Sequence, residues 1–143
     1  MYFYLVFIHV VSALFLGCFL AFPLAMNRLF SLESKELIIS LKTILSFTRA
    51  GHYALVLLMI SGIWMTIGYT SYPSLLWVGI SILILILIGA LIGMVHKQIK
   101  QIMFTADSAK ELSKNRRQLT RYGWMTFFAI LIAIFIMTNR SLF

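Results

Sequence analysis

Three side chains hold most of the chemistry open to this sequence: His9, His52 and His96. An imidazole can ligate a metal, carry a proton, or donate and accept hydrogen bonds. Each histidine stands in or beside an apolar run, where an ionisable group is costly unless it is paired, neutral or ligated. His52 opens "RAGHYALVLLMISGIW", Arg49 to Trp64, and Arg49 precedes it by one helical turn. His96 falls in "IGMVHKQIK", Ile92 to Lys100, with Lys97 beside it. Two imidazoles at one depth on two helices form the axial ligand set of a b-type haem, which also needs an apolar slot and cations for its propionates. Gly89 and Gly93 share a helical face with His96, and Arg49, Lys97 and Arg121 stand at the same level. The expected site is therefore His52 and His96 as axial ligands, Gly93 as room for the ring, and Arg49 and Lys97 as propionate partners. His9 lies roughly 20 Å away along the membrane normal, counting the rise of a helix. It is either a second metal ligand, a proton-handling group, or a hydrogen-bonding residue with Ser12 or Thr66 as local candidates.

Those residues need helices to hold them, and the composition supplies the helices. The chain has 143 residues, 62% hydrophobic and 11% charged. A soluble domain carries about 25% charged residues. Four stretches, 2–26, 44–68, 75–97 and 121–140, are each long enough to cross a bilayer, which takes roughly 20 apolar residues. None alternates with period two, so the spans are helices rather than barrel strands. The expectation is an all-α, single-domain, up-down bundle of four transmembrane helices. The net charge of +8 is uneven. It gathers in the connections 27–43 and 98–120, while "YTSYPS" between the second and third spans has none. By the positive-inside rule both basic connections face the cytoplasm and both termini face outward, as in a bacterial inner-membrane, multi-pass protein. Anionic lipid headgroups are then the partners of the basic residues, and nucleic-acid binding is not needed to explain them.

Finer features follow from spacing. The stretch "SLESKELIISLKTILSF" sets Lys35, Lys42 and Arg49 on one face, so it lies on the inner surface or runs straight into the second span, with Ser34 as N-cap. The third helix extends past the membrane, and Ser108 and Glu111 have capping-box spacing. Asp107 and Glu111 read as local charge balance rather than a catalytic pair. Pro23 kinks the first helix and frees the Phe19 carbonyl. His9, Ala13, Gly17, Ala21 and Ala25 recur every fourth residue as a small-residue packing ridge. Ser61 and Gly62, and Ala129 and Ala133, are further close-packing positions. Tyr2, Tyr4, Tyr69, Tyr72 and Trp77 mark one membrane boundary, and Tyr122 and Trp124 the other. Cys18 is the only cysteine, which excludes an intrachain disulfide. The eight methionines are scattered, so copper is a minor alternative. No nucleophile triad, phosphate loop, dinucleotide fingerprint or zinc motif occurs.

"FIHVVSALFLG" in the first helix, "SGIWMTIG" in the second and "IGMVHKQIK" in the third resemble short motifs of small four-helix bacterial membrane proteins. That group includes the CopD-type copper-resistance proteins, the HemJ-type protoporphyrinogen oxidases and an uncharacterised branch. The resemblance covers the first three helices. It implies a four-helix fold and, for the HemJ branch, haem-linked redox chemistry. Gly51-His52 stands where many relatives have a proline, and "SLLWVGISILILI" lacks the lysine of a HemJ-type third span. The expectation is therefore a b-type haem protein of the membrane, an electron-transfer or redox protein with a bilayer quinone or another membrane protein as partner, and possible self-association. The rival is a non-catalytic accessory or assembly protein whose histidines are structural.

Overall fold

The computed structural model describes residues 2–32, 34–67, 74–105 and 107–139, Ser34 by its backbone alone. Among these, the chain forms α1 (Tyr2–Gly17), a 3-10 turn (Cys18–Ala21), α2 (Phe22–Leu29), α3 (Ser34–Ile67), α4 (Leu75–Met103) and α5 (Ser108–Thr138). The first span is α1, the 3-10 turn and α2 together. Four helical stretches, Tyr2–Leu29, Lys35–Ile67, Leu75–Met103 and Ser108–Thr138, are long and apolar enough to cross a membrane. The outside of the bundle carries large apolar side chains, among them Phe3, Phe7, Leu14, Ile39, Leu83 and Phe135. An apolar exterior of this extent belongs in lipid rather than water. The protein is an all-α, multi-pass membrane bundle.

The helices close into a ring. α1 packs on α3, α3 on α4 and α4 on α5, while the 3-10 turn and α2 return to α5. α1 itself scarcely meets α5. The break in the first span follows from Pro23, which has no N–H to offer the carbonyl four residues back. That carbonyl, on Phe19, is not left free as the sequence suggested. It accepts instead from the Phe22 N–H, one residue nearer, and the chain tightens into 3-10 geometry.

The small-residue ridge does not pack. Ala13, Ala21 and Ala25 are exposed, and nothing stands within 4 Å of a Cβ placed on Gly17. The buried face of the first span is the opposite one, with Ser12, Leu16, Phe19, Phe22, Met26 and Leu29. Spacing names a face but not its neighbour, and here the larger side chains won it. Close approach comes from glycines on the partner helices. A Cβ on Gly51 would overlap the ring of Phe19, which stacks on Phe47 with centroids 4.5 Å apart. Gly123 receives Phe22, Pro23 and Met26. Ala129 and Ala133 are buried, as their spacing suggested.

The basic connections are mostly helical. α3 runs unbroken from 34, so the amphipathic stretch continues into the second span, with Leu37 and Leu41 buried in the bundle. α4 carries Ile99 and Ile102 inward past the expected span limit. The cap of α5 is Asp107 rather than Ser108: its carboxylate accepts from the Lys110 N–H at 3.1 Å. Asp and Ser cap equally well, so the frame moves by one residue. Glu111 then pairs locally with Lys114 at 3.9 Å and accepts from Asn115. The expected cap at Ser34 and the boundary residues Tyr69 and Tyr72 lie outside the described side chains.

Candidate functional site: two imidazoles on one threonine

α3 and α4 run side by side in opposite directions, and three pairs of positions face one another along the seam. Leu55 packs on Gly89, His52 on Gly93, and Thr48 on His96. Each step is about one helical turn on both helices, which is why His52 and His96 reach the same depth. Their ring centroids are 6.4 Å apart with planes at 79°.

Thr48 organises the pair. It is wholly buried. Its backbone oxygen lies 3.0 Å from His52 Nδ1, a carbonyl that can only accept. His52 therefore donates from Nδ1 and keeps a lone pair on Nε2. The Thr48 hydroxyl donates to the Leu45 carbonyl at 2.9 Å, so its oxygen accepts from His96 Nδ1 at 2.8 Å. His96 thus takes the same tautomer, again with an unprotonated Nε2. Histidine ligands are commonly fixed in this way, with one ring nitrogen donating to a carbonyl or hydroxyl and the other left for the metal. The sequence reading did not single out Thr48. Its signal was present: it stands four residues before His52, on the same helical face.

The surrounding residues sort differently from the expectation. Gly93 is at the site, against His52: a Cβ there would lie in ordinary contact with His52 Nε2 at 3.6 Å. Arg49 is exposed one turn from His52, and its charge reaches His96. The second cation whose charge reaches His96 is Lys100, one turn along the same face of α4. Lys97 is exposed and, like Lys100, lines an open cleft of about 830 Å³ with Phe104, Glu111 and Gln118.

Two half-buried imidazoles whose Nδ1 edges are engaged, an apolar setting and two nearby cations are the residue types that a haem site would need.

His9 is far from this pair and does not bond Ser12 or Thr66. Its Nδ1 lies 2.9 Å from Ser61 Oγ on α3, and Gly62 sits under the ring, where a Cβ would be 3.4 Å from Cε1. Buried Ser61 and half-buried Gly62 thus receive the histidine of α1. Among the described residues, no three or more of His, Cys, Asp and Glu gather into a metal-binding group. No protein-family model matches the chain, and no curated protein or solved structure matches it.

Proposed function

We propose that this chain is a membrane-embedded b-type haem protein that moves electrons, with His52 and His96 as axial ligands. One observation carries the reading: Thr48 turns both imidazoles into the tautomer that leaves Nε2 unprotonated, on rings 6.4 Å apart. Arg49 and Lys100 would balance propionate charge. Iron held by two histidines has no open position, so it transfers electrons rather than binding oxygen. A bacterial inner membrane, with the basic end toward the cytoplasm and anionic headgroups around it, is the setting that the charge distribution supports.

A second reading rests on the same bonds. Thr48–His96 joins α3 to α4, and His9–Ser61 joins α1 to α3. Histidines used in this way make a bundle that serves as an accessory or assembly protein. Absorbance separates the two. Protein purified from haem-sufficient cells should be red, with a Soret band lost in His52→Ala and in His96→Ala and kept in His9→Ala. Colourless wild-type protein rules out the haem reading and leaves the structural one.

A further inference from the structure

Toward the other end of the bundle, an interior cavity of about 350 Å³ opens among all four spans. His9 lines it from α1, Gly62 and Thr66 from α3, Trp77 and Ser81 from α4, and Met137 from α5. It exists because α1 packs on α3 and leaves α5 almost untouched above the 3-10 turn. Its size lies in the range of small-molecule pockets, and it shares their pattern of apolar walls with a few polar groups.

The polar groups are all of one kind. The Thr66 hydroxyl donates to the Gly62 carbonyl at 2.9 Å, and the Ser81 hydroxyl to the Trp77 carbonyl at 2.8 Å. The Trp77 indole N–H is held by the Ile136 carbonyl at 2.9 Å. Tyr2, also in the lining, is itself engaged. Ser61 directs its proton to the Leu57 carbonyl at 2.7 Å, with the Leu58 carbonyl beside it at 3.2 Å. His9 Nδ1 therefore faces acceptors and must donate. His9 lines the cavity, and with Nδ1 engaged at Ser61 its Nε2 is the ring nitrogen left to meet a ligand there. Hydroxyl oxygens, thioethers and one imidazole nitrogen present lone pairs, and the Thr66, Ser81 and Trp77 donors are committed to backbone carbonyls.

We infer that this cavity binds a flat aromatic hydroxyl donor, the hydroquinone head of a lipid-soluble quinol, with one O–H donating to His9 Nε2. The oxidised quinone carries only acceptors, and the described Thr66, Ser81 and Trp77 donors are already engaged by backbone carbonyls. A bare metal ion is far smaller than the space. A quinol dissolves in the lipid that surrounds such a bundle. The site does not depend on haem at His52 and His96, although a quinol would be a fitting electron source for it.

The test is equilibrium dialysis of duroquinol, duroquinone and the dimethyl ether of duroquinol against the detergent-solubilised protein, under argon, with protein-free micelles as blank. Duroquinol should bind saturably at one per chain and about tenfold more tightly than either analogue, the worth of one good hydrogen bond. His9→Phe should abolish that preference. Ser61→Ala breaks the same α1–α3 bond but keeps the imidazole, and should retain it. Equal uptake of all three compounds, uptake that never saturates, a preference surviving in His9→Phe, or its loss in Ser61→Ala overturns the assignment. Repeating the titration on His52→Ala separates this result from the haem reading: quinol binding should persist there without a Soret band.

Discussion

Replacing Thr48 by valine tests the organisation of the imidazole pair directly. Valine keeps the shape and volume of threonine, so no cavity opens and the packing of α3 on α4 is preserved. The Thr48 carbonyl stays, so His52 keeps its partner. What is lost is the hydroxyl that accepts from His96 Nδ1 at 2.8 Å, at a residue with no exposed surface. Interhelical hydrogen bonds in membrane proteins contribute about 0.6 kcal/mol on average and up to about 1.7 kcal/mol. Leaving a buried donor without a partner costs about 1–3 kcal/mol. The overlap of these ranges sets the expectation for Thr48→Val at about 1–2 kcal/mol, measured by SDS titration in mixed micelles. His96→Phe keeps a ring and removes the donor, so a double-mutant cycle with Thr48→Val isolates the bond. A coupling of about 1 kcal/mol is expected between the two. Additive effects, within about 0.3 kcal/mol, would show that the bond does not hold the helices together and would refute the organising role of Thr48.

Three further substitutions have defined outcomes. Gly51→Ala drives a methyl into the ring of Phe19 and should destabilise the protein by about 1–3 kcal/mol in thermal melts, with recovery when Phe19→Leu is added. Gly93→Ala places a methyl in ordinary contact with His52 Nε2. It should change stability by less than about 0.5 kcal/mol while lowering haem occupancy, read from the Soret absorbance per chain; unchanged occupancy would remove His52 Nε2 as a ligand. Asp107→Ala removes the cap of α5 and should cost about 1 kcal/mol, seen as faster amide exchange at residues 108–111, whereas Ser108→Ala should change exchange there little.

The helical spans and the shared depth of His52 and His96 were legible because both rest on periodicity and rise. Continuous apolar runs set the length of each span, and an antiparallel seam with one turn per step on each side brings residue 52 opposite residues 93 and 96. Partner choice was less legible. The ridge from Ala13 to Ala25 has the right spacing for close packing, yet it faces outward, because the contest between two faces of one helix is decided by the neighbour. Phe19 found a glycine on α3 large enough in effect to take a whole ring. Thr48 escaped notice because a threonine in an apolar helix ordinarily bonds its own preceding turn, and nothing in its type shows that its remaining lone pair serves another helix. Lys100 was not singled out because it is not adjacent to His96 in sequence, although four positions on it shares the same helical face.

The 3-10 turn divides the first span into two mechanically unequal halves. Beyond it, α2 is clamped between α5 and the rings of the interior, with Pro23 seated against Gly123 and Phe19 locked over Gly51. Before it, α1 leans mainly on α3, where the bond from His9 to Ser61 ties it. Local opening in such a structure follows the weaker attachment. Swinging of α1 about residues 18–21, with α2 as the fixed post, is the motion that this unequal attachment favours.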